Sequence, residues 1–227
     1  MTNATERVLA GIREAIIELE LRPGAMIDKN ALCAEFGVSR FPVSDALNRL
    51  QAEGLVEILP QRGSRVARIR MTDLTEAMFI RRPLEAEMVR ALAPNASDEW
   101  LFELEGNFGY QKLAVERGDR REFHRLDLAF HEMMLSRLNF PRVTATVDAA
   151  RRTLARARKI LASPRRLADT LREHSAILSA LKARDGDAAA TAMNIHLDAV
   201  LSELSVLVAA NPGVFVVDEK RPASEAG

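Results

Sequence analysis

Two strand-like segments stand in a chain that otherwise has helical periodicity, and this pair limits the possible folds most strongly. Residues 55–59 and 64–69 are rich in β-branched residues and flank a turn that contains Gly63, so they predict a β-hairpin. Three helical segments precede the hairpin, near residues 5–20, 28–36 and 40–53. Gly37 and Gly54 end the second and third, and Ser39 is expected to cap the third.

The remaining segments are all helical. Three helices and a hairpin over residues 1–70 predict a winged helix-turn-helix, with the hairpin as its wing. Residues 71–210 predict an all-α antiparallel bundle of about six to seven helices, so the fold is mainly α. We expect Pro83 to kink or split the first of these helices, and residues 211–227 to be a flexible tail. The predicted bundle spans are 72–93, 97–117, 120–138, 142–161, 165–183 and 187–209.

Composition excludes several classes of protein. With 32 basic and 32 acidic residues the formal charge is zero, which argues against a general nucleic-acid coat but allows a local basic patch. A single cysteine, Cys33, excludes an intramolecular disulfide framework and a cysteine-rich zinc module. No apolar run reaches the roughly 20 residues of a membrane span, and residues 1–13 lack the apolar core of a signal peptide. We therefore expect a cytoplasmic protein that does not bind membranes.

The third helix has the residues of a DNA recognition helix, which places its N-terminal side chains at base edges in the major groove. Arg40 can pair with a guanine edge, and Phe41 can pack on a thymine methyl group. Ser39 and Ser44 can bond a phosphate or a base, and Arg49, farther along, can meet a phosphate.

The predicted wing is locally basic. It contains four arginines and no acidic residue between positions 58 and 70. The tip, with Arg62 and Gly63, has the size to reach an adjacent groove or its phosphates. The alternative is a solvated hairpin whose arginines serve solubility.

Several motifs in this region follow one known pattern, and they resemble the DNA-binding domain of the GntR family of transcription regulators over roughly residues 8–66. The resemblance implies binding to a double-stranded DNA operator. Phe41 stands where the family usually has Thr, and Ser44 where it often has a base-reading Arg. Asn30 replaces another frequent Arg and can pair with adenine, so we do not expect the family's consensus operator. The motifs are Leu21-Arg22-Pro23-Gly24, Phe36-Gly37-Val38-Ser39-Arg40, Pro42-Val43, Ala46-Leu47, Glu53-Gly54-Leu55-Val56 and Arg62-Gly63.

Four histidines, all in the second half, lie on predicted amphipathic helices. Asp127 and His131 are four residues apart and share one helical face. In an antiparallel bundle, His174 and His196 can point inward at the same level. One carboxylate and three imidazoles suit Zn²⁺, Ni²⁺ or another borderline divalent cation, and the alternative is packed core histidines. His124 either lines the same face or is simply packed.

The second half also resembles the FCD ligand-binding domain of the FadR subfamily of GntR regulators, over about residues 73–207. The resemblance implies that Asp127, His131, His174 and His196 hold a metal ion and that the effector is a small organic acid. It also implies that Arg81 neutralises the second end of that acid; the alternative is an ion pair with Glu85. The motifs are Arg81-x-x-Leu84-Glu85, Asp127-x-x-Phe130-His131, Glu173-His174-x-x-Ile177-Leu178-x-Ala180-Leu181 and Met193-x-x-His196-Leu197.

Residues 151–166 contain seven basic residues and no acidic one. We interpret them as a solvated basic face. The alternatives are that one arginine lines the effector cavity or that several meet the DNA-binding domain.

Together these patterns predict a homodimeric DNA-binding transcription regulator, a repressor, whose operator affinity a small carboxylate effector controls at a metal site. One alternative is a metal sensor in which the divalent ion is itself the signal. A further alternative is a metal-dependent hydrolase or lyase, for which His124 and Glu132 are the nearest acid–base candidates in sequence.

Overall fold

The computed structural model describes residues 4–161 and 163–217. Two compact units divide the chain. The first contains residues up to Thr72 together with those from Val208 onward, and the second contains Asp73–Leu207.

The first unit is a three-helix domain with a small antiparallel sheet. The sheet has the strand order β1-β3-β2, with Met26 opposite Arg65 and Val56 opposite Val66. It confirms the predicted hairpin and adds a short strand, β1, that the sequence analysis did not predict. The elements are α1 (Ala4–Ile17), β1 (Met26–Ile27), α2 (Lys29–Phe36), α3 (Arg40–Ala52), β2 (Val56–Leu59) and β3 (Gly63–Val66).

Capping residues define where α2 starts and ends, whereas α3 starts without a side-chain cap. Asp28 accepts from the backbone N–H groups of Asn30 and Ala31 at the start of α2. Gly37 ends α2 in the left-handed region at φ 63°, a conformation that favours glycine. Ser39 stands at the N-cap position of α3, but its side chain makes no capping hydrogen bond, so the expectation that it caps the helix is wrong. Its hydroxyl therefore does not cap the start of α3.

The core of this unit forms where α1 crosses α3 and α2. Val8, Ile12 and Ile16 of α1 are fully buried among apolar side chains of α3 and the sheet. Gly11 lies so close to Phe36 that a Cβ atom there would stand 2.6 Å from the Phe36 ring. An alanine at position 11 would therefore require the Phe36 ring or the helix that carries it to move.

The second unit is an all-α bundle, as predicted. The described residues contain six α-helices here, and their bounds lie within one or two residues of the predicted ones. Ser97, Asp119 and Ser163 accept backbone N–H groups at helix starts. Helix α4 runs through Pro83 without a break, so the proline does not split it. The elements are α4 (Met71–Leu92), a 3-10 turn (Ala93–Asn95), α5 (Asp98–Glu116), α6 (Arg120–Leu138), α7 (Pro141–Leu161), α8 (Pro164–Lys182) and α9 (Gly186–Ala210).

The chain after α9 returns to the first unit. Strands β4 (Ile69–Arg70) and β5 (Phe215–Val216) pair in parallel, and the Ile69 N–H donates to the Val214 carbonyl at 3.0 Å. Phe215 is only 3% exposed. The expectation of a flexible tail from residue 211 is therefore wrong for this strand, because a buried aromatic side chain and backbone hydrogen bonds hold it. Residues 218–227 of that expected tail lie outside the described residues.

Helix α9 is long and apolar enough to cross a membrane by length and composition alone, although the sequence analysis expected no such segment. One of its faces, however, packs inside the protein, with Met193, Leu197 and Leu204 fully buried. It also carries the charged residues Asp198 and Glu203, which form ion pairs with Arg82 and Arg166. These features are typical of an amphipathic helix that packs along one face and leaves the other exposed.

Candidate metal centre and nucleic-acid interface

Three histidines and one aspartate converge inside the second unit. Helix α6 supplies Asp127 and His131 on one face, α8 supplies His174, and α9 supplies His196. One ring nitrogen from each histidine lies within 4.8 Å of the other two. Asp127 Oδ1 lies 3.5 Å from His174 Nε2 and 4.0 Å from His131 Nε2. All four side chains are buried. The spacing of four places Asp127 and His131 on one face of α6, and the packing of α8 and α9 brings His174 and His196 next to them.

The converging atoms lack hydrogen-bond partners. Among the described residues, nothing bonds Asp127 Oδ1 or the Nε2 atoms of His131, His174 and His196, although all four are buried. Native proteins rarely leave buried polar atoms unsatisfied. Four such atoms around one point are the donor set that a divalent cation prefers. The residues present therefore fit a metal ion.

The opposite ring nitrogens are all anchored. His131 Nδ1 lies 2.8 Å from Glu85 Oε2, His174 Nδ1 lies 2.8 Å from Gln111 Oε1, and His196 Nδ1 lies 2.8 Å from Glu173 Oε2. Each partner oxygen accepts, so each Nδ1 carries the hydrogen and donates it. The lone pair is then on Nε2, facing the other ligand atoms. Such outer partners orient histidine ligands in metal sites.

Burial keeps His131 and His174 neutral at neutral pH, and a neighbouring cation keeps Asp127 charged. Burial lowers the pKa of His131 to about 4, although Glu85 and Asp127 act in the opposite direction. Burial, reinforced by His196, lowers the pKa of His174 well below its ordinary value. Burial acts to raise the pKa of Asp127, but the charge of the adjacent Arg158 guanidinium outweighs it, and the net pKa is low. At neutral pH, His131, His174 and Asp127 are thus in the protonation states that bind a cation.

Two arginines adjoin this cluster. Arg158 Nη2 donates to Asp127 Oδ2 at 2.5 Å, and Arg81 Nε donates to Glu85 Oε1 at 2.6 Å. The Arg81–Glu85 ion pair considered from the sequence is thus present. It uses only one nitrogen of the buried guanidinium. Arg81 Nη1 and Nη2, and Arg158 Nη1, have no hydrogen-bond partner among the described residues. These N–H groups are available to an anion.

The basic stretch at 151–166 is not a solvated face. Arg151, Arg156 and Arg166 are only 6–8% exposed, and the Arg158 side chain is nearly buried as well. Acceptors inside the bundle hold them: Arg151 donates to the Leu128 carbonyl, and Arg166 forms two 2.7 Å bonds to Glu173. The interpretation as a solvated face is therefore wrong for these four arginines, although Arg152 and Arg165 are exposed.

The start of α3 presents the predicted DNA-contacting residues. Ser39, Arg40 and Phe41 are exposed, Phe41 at 78%. Ser44 is half-buried. Arg40 Nη2 donates to Asn30 Oδ1 at 2.8 Å, which joins the two residues proposed as independent base readers.

The other arginines predicted to contact DNA, or lying in the wing, differ in whether they form ion pairs. Arg49 is exposed but pairs with Glu6 of α1 at 2.6 Å. Arg62 and Gly63 are exposed at the wing turn, where Gln61 and Gly63 have positive φ angles of 59° and 94°. Arg65 pairs with Glu57 across the hairpin at 2.6 Å. The wing is therefore less basic than the sequence suggested.

The residues that anchor the histidines were not predicted from the sequence. Glu85 was considered only as a partner of Arg81, and Glu173 only as a motif residue. Gln111 carried no recognised signal; its spacing of four from Asn107 places two amides on one helical face. His124 lies outside the three-histidine cluster of the described residues.

Both halves of the chain match known protein families. Residues 4–66 match the family described as bacterial regulatory proteins, gntR family, and residues 76–199 match the FCD domain family. The HTH-type transcriptional repressor RspR of Escherichia coli (strain K12) is 33% identical over 193 residues, 83% of each chain. The galactonate operon transcriptional repressor of the same organism is 26% identical over 210 residues, 82% of this chain and 90% of its own. The solved structure of E. coli McbR/YncC has a TM-score of 0.71 at 22% identity, covering 91% of this chain and 99% of its own.

Proposed function

We propose a function from one premise: the chain belongs to the gntR family of bacterial regulatory proteins and carries an FCD domain. It is a DNA-binding transcription regulator and not an enzyme. Within that class it is a repressor, and a small organic acid bound at a divalent metal ion in the helical unit controls its affinity for a double-stranded operator. It acts in the cytoplasm, where the operator is.

The observation that carries this proposal is the convergence of four buried, unpartnered ligand atoms on one point. Asp127, His131, His174 and His196 would hold the ion, and the mixed nitrogen and oxygen donors suit Zn²⁺ or Ni²⁺. When bound, the ion supplies coordination positions that a carboxylate group can occupy.

The unpartnered arginine nitrogens support an anionic effector. Arg81 and Arg158 place three buried nitrogens without partners beside the ligand cluster, and planar guanidinium groups bind carboxylates well. Burial of Arg81 favours specificity, because an acid that fails to reach it leaves those donors unsatisfied. The name of the galactonate operon repressor also associates a related protein with a sugar acid.

The exposed face formed by α3, Asn30 and the wing would contact the operator. Asn30, Ser39, Arg40, Phe41 and Ser44 would face the major groove. Arg49 would leave its ion pair with Glu6 and contact a DNA phosphate instead. Arg62 and Gly63 would reach the adjacent groove. A homodimer would place two such faces on half-sites about one helical turn apart.

Regulation follows from two conformations with different operator affinities. The acid shifts their populations only by its difference in affinity for the two. Contacts of the effector with both the metal and Arg81 supply such a difference if the two conformations space these groups differently.

The experiment compares wild type with His174→Ala for metal content after gentle purification, and then screens small carboxylic acids for thermal stabilisation. We expect one metal ion per chain in wild type, its loss in the variant, and stabilisation by an acid in wild type only. Wild type that takes up no metal after reloading would contradict the metal site and leave the DNA-binding function standing.

A metal sensor is the second candidate, and the fully buried ligand set favours it. Titrating Zn²⁺ or Ni²⁺ against operator binding without any acid distinguishes the two. Under the acid-sensor proposal, the ion alone does not release DNA.

A further inference from the structure

A chain of amide hydrogen bonds runs from the backbone of α6 to His174. Asn107 Nδ2 donates to the Leu126 carbonyl at 3.2 Å, and Gln111 Nε2 donates to Asn107 Oδ1 at 2.7 Å. Gln111 Oε1 lies 2.8 Å from His174 Nδ1. Both amides lie on α5, four residues apart, and Gln111 is fully buried.

The direction of every bond in this chain follows from its first member. A backbone carbonyl can only accept, so Asn107 turns its NH₂ group toward Leu126 and its oxygen toward Gln111. Gln111 must then turn its own NH₂ group toward Asn107 and its oxygen toward His174. An oxygen facing Nδ1 requires the hydrogen on Nδ1, which leaves the lone pair on Nε2.

We propose that Asn107 and Gln111 are positioning residues that set the tautomer of His174 before any metal ion arrives. This inference rests on the proposed metal site. His131 and His196 have carboxylates as partners, which can only accept. Gln111 is an amide, and a reversed amide would offer an N–H and move the hydrogen to Nε2. Asn107 prevents that reversal.

The neutral partner also limits the negative charge of the site. Glu85 and Glu173 already place two carboxylates behind His131 and His196. A glutamate at position 111 would add a third, whereas Gln111 supplies the acceptor without a charge. The site therefore carries less negative charge, which favours binding of an anionic effector beside Arg81 and Arg158.

The test uses two substitutions of nearly equal size. Gln111→Met removes both amide functions, and we expect it to weaken Zn²⁺ affinity about 10–100-fold, as loss of an outer partner typically does. Gln111→Glu keeps an acceptor for His174, and we expect Zn²⁺ affinity close to wild type. Glu103→Met, an exposed change on the same helix, is the matched control and should have no effect.

Two readouts separate positioning from a merely structural role. Zn²⁺ affinity is measured by competition with a chelator, and the melting temperature of the metal-free protein reports folding. Nitrogen NMR of the metal-free protein reports which ring nitrogen of His174 carries the hydrogen. We expect Nδ1–H in wild type and Gln111→Glu, and a mixture of tautomers in folded Gln111→Met.

Three results would overturn the inference: wild-type Zn²⁺ affinity in Gln111→Met, an equal loss in Gln111→Glu, or an Nε2–H tautomer in metal-free wild type. If wild type binds no metal, the proposed function fails on that point. The NMR comparison of wild type with Gln111→Met still decides the positioning role.

Discussion

Arg40 at the start of α3 donates a 2.8 Å hydrogen bond from Nη2 to Oδ1 of Asn30 on α2. The two residues that the sequence analysis treated as separate base readers therefore form one unit. Asn30 orients the guanidinium of Arg40, and its carbonyl oxygen is already occupied.

This pairing predicts non-additive effects on operator binding. Arg40→Ala should weaken specific binding by about 1–3 kcal/mol and relax the preference at one base pair. Asn30→Ala should weaken binding in wild type but add little in the Arg40→Ala background, since its effect passes through Arg40. A double-mutant cycle of operator affinities at fixed salt measures this, with the exposed Asn95→Ala as the control. Fully additive losses would mean that the two residues act independently.

Replacing the buried Glu85 carboxylate should strongly lower the free energy of unfolding. One of its oxygens accepts from Arg81 and the other from His131, all within the buried core. Glu85→Leu leaves the Arg81 charge without its partner, and we expect a loss of about 3–5 kcal/mol in unfolding free energy. Chemical denaturation measures it. The exposed ion pair of Glu122 with Arg125 is the comparison: Glu122→Leu should change the unfolding free energy little. Equal losses at the two positions would contradict the burial argument.

The metal-free protein should lose stability as the pH falls from about 6.5 to about 4. The folded-state pKa of His131 is about 4, below the ordinary value of 6.5. In that range the unfolded chain therefore binds a proton that the folded chain does not, and the unfolding free energy falls by up to about 3 kcal/mol. Denaturation of chelator-treated protein at pH 7 and pH 5 checks the sign. His131→Gln, which cannot titrate, should show a shallower dependence; an unchanged slope would assign the effect to other groups.

Substituting alanine for glycine should change stability in opposite directions at two helical positions, Gly11 and Gly106. An alanine Cβ at Gly11 would stand 2.6 Å from the Phe36 ring, whereas one at Gly106 of α5 meets nothing within 4 Å. Gly106→Ala should stabilise by about 0.5–1 kcal/mol through helix propensity. Gly11→Ala should destabilise by about 1–3 kcal/mol through overpacking. Melting temperatures of both variants give the answer, and Phe36→Leu should recover part of the loss at Gly11. Stabilisation by both would show that the Phe36 ring or α1 moves aside at little cost.

Much of this architecture could be predicted because its signals are local. Capping residues such as Ser97 and Asp119 bound the helices of the second unit, and the spacing of four placed Asp127 and His131 on one face. An antiparallel bundle could also place His174 and His196 at one level, and the resemblance to known regulators strengthened that expectation. Their meeting itself depends on how distant helices pack.

The remainder depends on long-range contacts that leave no local pattern. Strand β1 has two residues, and only pairing with β3 defines it. A run of basic residues does not reveal which side of its helix is buried, so Arg151 and Arg158 were misread. Gln111 looks like any polar helix residue until His174, 63 positions later in the chain, lies against it.

The pairing of Ile69 with Phe215 has a consequence for how the protein is made. The first unit needs residues from both ends of the described chain, so a ribosome must release all of α4 to α9 before β5 can join β4. The operator-binding unit is thus the last to be completed, although its helices emerge first. A chain cut just after α9 would keep Asp127, His131, His174 and His196 but would lose β5, the only strand paired with β4 among the described residues.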